Sequence, residues 1–123
     1  MIIVMSEHID AEQVDEAKDI LGDVFKKLVD GFINDTHVIL ASIDVARSSG
    51  NDNEIIDSVH ILKSSSFQVG AAKIRSISTE IESYLQTNKD KLATMPVQSN
   101  IDSKIGLLRQ ALADYEAAIK DYL

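Results

Sequence analysis

From Ile101 to the end of the chain, apolar residues fall at Ile101, Ile105, Leu108, Leu112, Tyr115, Ile119 and Tyr122, in alternating steps of four and three. A helix puts such a set on one side, and the narrow seam it makes must be covered by other helices. A second copy of the chain could cover it as a coiled coil, or neighbouring helices of the same chain could do so. The seam is short and other amphipathic segments stand upstream, so an intramolecular bundle is expected.

Those upstream segments are marked by caps and breakers. Asp10 can cap a helix, with Gln13 at the reciprocal capping-box position and Ile9 and Val14 spaced as a hydrophobic staple. A short helix is expected from Asp10 to Leu21, broken near Gly22. Phe25, Leu28, Phe32, Ile39 and Ile43 repeat at a helical period, with Thr36 filling the gap. A helix from about Asp23 to Ser48 would be roughly 39 Å long at 1.5 Å per residue. The stretch "SSGNDN" supplies a turn, with Asn51 and Glu54 spaced as cap and partner. A third helix should end between Gln68 and Gly70, where glycine suits the left-handed residue that closes many helices. A fourth begins near Ala71 and buries Ile74, Ile77, Ile81 and Leu85. "TNKDKLATMPVQSN" is expected to be a loop, with Pro96 as its clearest breaker. The expected fold is all-α, an antiparallel four-helix bundle with a short additional N-terminal helix. Residues 1–123 make a single domain, in which 1–9 form an N-terminal arm.

Composition narrows the function. Five Gly and one Pro are too few for a sandwich of short strands with many turns. With no Cys there is no disulfide framework and no thiolate metal site, which fits a reducing cytoplasmic setting. The apolar run "MIIVM" is too short for a signal-peptide core or a membrane span, and reads as an arm packed on the bundle of a soluble protein. A net charge of −8 argues against nucleic acid, whose phosphates demand a basic face. An acidic surface otherwise serves solubility.

The chemistry concentrates in "SVHILKSSSFQVGAAKI", residues 58–74. On a wheel of about 100° per residue, Ile55, Val59, Leu62 and Ser66 form the buried stripe, and His60 lies roughly 130° from its centre. Ile56 lies one turn before His60, Lys63 and Ser64 one turn after, and Phe67 two turns after. His8 and His37 read as ordinary structural or surface histidines, His37 lacking a cation at the three-residue spacing. A metal site at His60 is disfavoured because no second His follows at a helical interval and Asp57 lies elsewhere on the wheel. "KSSSF" is not a Gly-x-Ser-x-Gly elbow, and no nucleotide-binding glycine loop is present.

An exposed imidazole completed by a partner remains. With an ordinary pKa of about 6.5 it is mostly neutral at pH 7, so a ring nitrogen can attack phosphorus. A phosphoryl group there would stand within reach of the Lys63 ammonium, a charge-assisted contact. Ser64 is small enough to leave room for a partner's active site, and the Ser64 or Ser65 hydroxyl could meet phosphoryl oxygens.

The stretch "HILKSSSFQVGA" resembles the phosphoacceptor motif of histidine phosphotransfer (HPt) domains, His-x-Leu-Lys-Gly-Ser-Ser followed by Gly-Ala. The resemblance continues through "AAKIRSISTEIES", with Ile74, Ile77 and Ile81 at aliphatic positions and Glu82 at an acidic or amide one. Upstream, "LGDVFKKLVDGFINDTHVILASI" is similar to the family's first long helix. It covers roughly residues 10–88, while the C-terminal helix is similar only in being a bundle helix. Ser64 stands where glycine is usual, Val59 where alanine is, and Ser78 where cysteine is frequent.

The resemblance implies a phosphorelay intermediate, not an enzyme. His60 would be the phosphoacceptor, taking a phosphoryl group from an aspartate of one receiver domain and giving it to another. Lys63 would be its charge partner, Gln68 would lie near the helix end, and Glu82 would stand near the histidine ring. The partners implied are receiver domains of response regulators and hybrid sensor kinases. They would supply the acidic pocket and Mg²⁺, so the chain needs no cofactor of its own, and it would act as a monomer. Ile56 and Phe67, with the rim around His60, are expected to form the apolar docking patch, unless Phe67 folds back into the core. The alternative function is a bundle that docks receiver domains and regulates them by binding, without being phosphorylated.

Overall fold

The computed structural model describes residues 8–123. The expected arm falls mostly on residues 1–7, which lie outside the described residues. Its last position, Ile9, is buried in the core.

Five helices follow in order: α1 (Ala11–Leu21), α2 (Val24–Ser48), α3 (Asp52–Gln68), α4 (Ala72–Thr87) and α5 (Met95–Ile119). The last four make the antiparallel bundle. The most extensive packing is α3 on α4, followed by α2 on α3 and α4 on α5, and α2 against α5 closes the ring. The short α1 lies across α2 and α3. No described helix is long and apolar enough to cross a membrane.

The caps form where the sequence places them, with one exchange. Asp10 accepts the Gln13 amide at 3.1 Å, and Asn51 both accepts from the Glu54 amide at 3.3 Å and donates to its carboxylate at 3.1 Å. The reciprocal half of the α1 capping box is not made, because the Asp10 N–H goes instead to the Gly70 carbonyl at 2.9 Å. That bond and another from the Ala72 N–H to the His8 carbonyl tie the start of α1 to the α3–α4 turn. Gly70 closes α3 at φ +67°. The Ala71 N–H bonds the Ser66 carbonyl and the Gly70 N–H that of Phe67, the two bonds of a Schellman turn.

The helical period of α2 holds, and its burial is graded. In α2 the fully buried stripe runs through Phe25, Val29, Phe32, Thr36, Leu40 and Ile43, while Leu28 and Ile39 are only partly buried. The helix is covered by α5 on one side and α3 on the other, so its apolar face is wider than one stripe, and Leu28 and Ile39 fall on the edge towards α3. Thr36 is buried as expected, its hydroxyl returned to the Phe32 carbonyl at 2.6 Å.

One expectation needs correction, the loop at "TNKDKLATMPVQSN". After one 3-10 turn at Lys89–Lys91, helix α5 already begins at Met95, and Val97 is buried. Pro96 starts this helix instead of breaking it, since the amide hydrogen it lacks would have no partner in a first turn. Further along α5 the seam is buried through Ile119, and Tyr122 is partly buried beyond it. The Tyr115 hydroxyl donates to the Val69 carbonyl at 2.8 Å, and its ring meets Phe32 edge-on at 5.6 Å. The seam of α5 therefore holds the end of α3, the helix that carries His60.

Candidate functional site

Helices α3 and α4 run antiparallel from the Gly70 turn, so residues at similar distances on either side of it come level. His60 lies ten positions before Gly70 and Glu82 twelve after it. Ile55, Val59 and Leu62 hold α3 against the core at essentially no exposure, and Ile77, Ile81 and Leu85 do the same for α4. With both helices clamped by these stripes, His60, Lys63 and Glu82 meet along the seam between them.

The geometry is a three-residue chain centred on one carboxylate. His60 Nδ1 lies 2.7 Å from Glu82 Oε2, and Lys63 Nζ donates to Glu82 Oε1 at 2.8 Å. The His60 side chain is 62% exposed, whereas Glu82 is 13% exposed and Lys63 31%. The Lys63 hydrogen bond foremost, then the His60 hydrogen bond, hold the Glu82 carboxyl below its ordinary range, against the opposing effect of its partial burial. Glu82 is therefore ionised at neutral pH and can only accept. The hydrogen on the neutral imidazole must then sit on Nδ1, which leaves the Nε2 lone pair on the exposed side of the ring. Nε2 has no hydrogen-bond partner among the described residues.

The other residues singled out from the sequence occupy distinct places. Ser64 is exposed beside His60. Ser65 is half-buried and its hydroxyl donates to the Ile61 carbonyl at 3.0 Å, on the side of α3 that faces α2, so it is not aimed at His60. Gln68 is exposed at the end of α3, and Gly70 ends the helix as described. Ile56 is half-buried, with part of its side chain packed against the core. Phe67 does not fold into the core: it is 47% exposed, with the Arg75 guanidinium 4.8 Å from its ring centre. His37 pairs with Glu116 at 2.7 Å and His8 lies 3.7 Å from Asp114, both structural contacts to α5.

Sequence reasoning missed the apolar surface on the other flank of His60. Ile61 and Val38 are 56% and 61% exposed and line a groove between α2 and α3. The signal was present for Ile61, which sits next to His60 and well off the buried stripe. Val38 gave none, because α2 carries apolar residues on several faces.

The Hpt domain family model matches residues 27–118, from the second turn of α2 to the last turn of α5. No curated protein and no solved structure matches the chain significantly. The match begins later than the resemblance read from motifs and takes in α5, whose seam is a general bundle pattern without a motif of its own. The chain belongs to the Hpt domain family. Hpt domains are phosphotransfer modules of two-component signalling, phosphocarriers and not catalysts, and they interact with receiver domains.

Proposed function

We propose that this Hpt domain relays a phosphoryl group between receiver-domain aspartates through Nε2 of His60. The observation that carries the reading is the Glu82 carboxylate on Nδ1, which leaves Nε2 as the nucleophilic nitrogen on the solvent side. When a phosphoaspartate is brought to that face, the Nε2 lone pair forms the new N–P bond. The P–O bond of the acyl phosphate breaks, and the receiver's aspartate leaves as a carboxylate. No proton need move, because the ring keeps its Nδ1 hydrogen and becomes a phosphorylated imidazolium whose positive charge faces Glu82. That charge keeps the imidazole a good leaving group, so the same steps in reverse pass the phosphoryl group to a second aspartate.

Lys63 serves both ends of this chain. One of its three ammonium hydrogens holds Glu82, which keeps the carboxylate ionised. The others are free to meet phosphoryl oxygens arriving on His60. The acidic pocket and Mg²⁺ that polarise the acyl phosphate come with the receiver. Ser64, exposed and small, leaves the approach to Nε2 open, and Phe67 lies at the margin of the docking face.

The test is phosphotransfer from labelled receiver domains to the purified protein, run beside His60→Gln. Acid-labile, base-stable label on the wild type alone is the expected result. Binding of receivers with no label on the wild type would replace the relay with the docking-only function. Label persisting on His60→Gln would move the acceptor to another residue.

A further inference from the structure

We propose that Gly31 is a specificity-determining gap in α2, which opens the far end of the groove that starts beside His60 at Ile61, so that an aliphatic side chain of the docked receiver can seat there against Gly31, Gln68 and Val69. The inference rests on the relay reading above.

Gly31 stands in the interior of α2, where glycine is less favourable than alanine. Nothing among the described residues requires it. Its φ is not positive, unlike those of Gly22, Gly50 and Gly70, and a Cβ added there would meet no atom of the described residues within 4 Å. The contrast with Gly70 is direct, since a Cβ there would meet Val14 at 2.6 Å. What the missing side chain does is keep open one end of a groove of about 470 Å³ between α2 and α3. Its apolar lining comes from Leu28, Phe32, Val38 and Ile39 on α2 and from Ile61 and Val69 on α3.

The receiver is the occupant because of where the groove lies. Transfer needs the phosphorus about 3–3.5 Å from the attacking atom, so the surface around the receiver's aspartate must cover the surface around His60. Towards α4 that surface is filled by the Lys63–Glu82 pair. Towards α2 it is apolar and indented, starting at Ile61, the next residue in the chain. Lys27 and Asp35 line the groove one turn before and one turn after Gly31. A matched receiver would set an acidic group against Lys27 and a basic one against Asp35, which fixes its direction along α2.

The test compares Gly31→Ala and Gly31→Leu with Gly106→Ala. Gly106 is also inside a helix with open space at its Cβ, but lies on α5 outside the groove. Three readouts are taken: the melting temperature, His60 labelling by phosphoramidate, and transfer from the complete set of receiver domains encoded by the same genome. Phosphoramidate is small and needs no docking. Both alanine variants should melt at or above the wild-type temperature. Transfer from the cognate receiver should fall about tenfold or more for Gly31→Leu, the scale of one misfit apolar contact, chiefly through KM and less for Gly31→Ala. Gly106→Ala should transfer as the wild type does. A folded Gly31→Leu protein that transfers at the wild-type rate overturns the gap while leaving the relay standing. Loss of phosphoramidate labelling along with transfer would overturn it too, by making the effect one on His60 itself. A wild type that no receiver labels overturns the gap and the relay together.

Discussion

Glu82 Oε2 lies 2.7 Å from His60 Nδ1, so a side chain on α4 sets which nitrogen of an α3 side chain carries the hydrogen. The pairing depends on the Gly70 turn, which brings the two positions level, and on Lys63, which shares the same carboxylate. A carboxylate holding two donors is well satisfied and needs little water. That is consistent with its low exposure beside a ring that stays open to solvent.

Glu82→Gln tests that arrangement with almost no change of shape. The amide oxygen can still accept from Nδ1, but the charge that holds Lys63 and faces the phosphorylated ring is gone. Hydrogen bonds to charged groups contribute about 1.5–3 kcal/mol, so transfer through His60 should slow by about tenfold or more. Nitrogen-15 NMR of the imidazole should show the wild type with its hydrogen on Nδ1 and the variant as a mixture of tautomers. Wild-type transfer with an unchanged tautomer would show that Glu82 is only a structural partner of Lys63.

The same carboxylate makes stability depend on pH in a predictable direction. Its folded pKa lies below the ordinary 4.5, chiefly because of the Lys63 hydrogen bond. A lowered carboxyl pKa contributes stability that is complete above the unfolded value and is lost as pH falls through the folded one. The wild type should therefore exceed Glu82→Gln in urea midpoint at pH 7. The difference should shrink below about pH 4.5. A gap between the two that is constant from neutral pH into acid would mean the ion pair contributes nothing to folding.

Most of the scaffold was readable because helical period and caps are local signals. Asn51, Gly70 and the α5 seam each behave as their spacing requires. What the spacing left out has one cause, which is that a single chain position does not reveal what covers it. Leu28 and Ile39 share the apolar face of α2 but fall where α3 leaves a groove. Pro96 looks like a breaker until the helix is seen to begin at the preceding residue. At the site, the wheel put His60 outside the core and Lys63 one turn away, both correctly. It could not show that Lys63 is held by Glu82, nor that the Ser65 hydroxyl turns to the Ile61 carbonyl, because both depend on which helix lies alongside.

Gly70→Ala should be among the most damaging small substitutions in the chain. An alanine at φ +67° adopts a conformation that costs about 1–3 kcal/mol, before any contact is considered. Its methyl group would also stand 2.6 Å from the Val14 side chain and 3.0 Å from the Asp10 carbonyl, displacing α1 from the α3–α4 turn. Urea unfolding should show a midpoint well below that of the wild type, and amide exchange should rise first in residues 10–14 and 69–72. A midpoint within error of the wild type would mean that the turn does not hold the register of α3 on α4.

Tyr115→Phe isolates a single hydroxyl. The ring is fully buried against Phe32, and burial raises the phenol pKa, so Tyr115 stays protonated and its hydroxyl acts as a donor. Its acceptor is the Val69 carbonyl at the end of α3. Phenylalanine keeps the packing but leaves that carbonyl without this donor, at a cost of about 1–3 kcal/mol. Because Val69 lies more than two turns beyond His60, the loss should appear as a lower urea midpoint and faster exchange at Gly70 and Ala71. Phosphotransfer at 25 °C should be unchanged. A variant with wild-type stability would show that water replaces the hydroxyl at no cost. One that folds as well but transfers poorly would place Tyr115 in the path that positions His60.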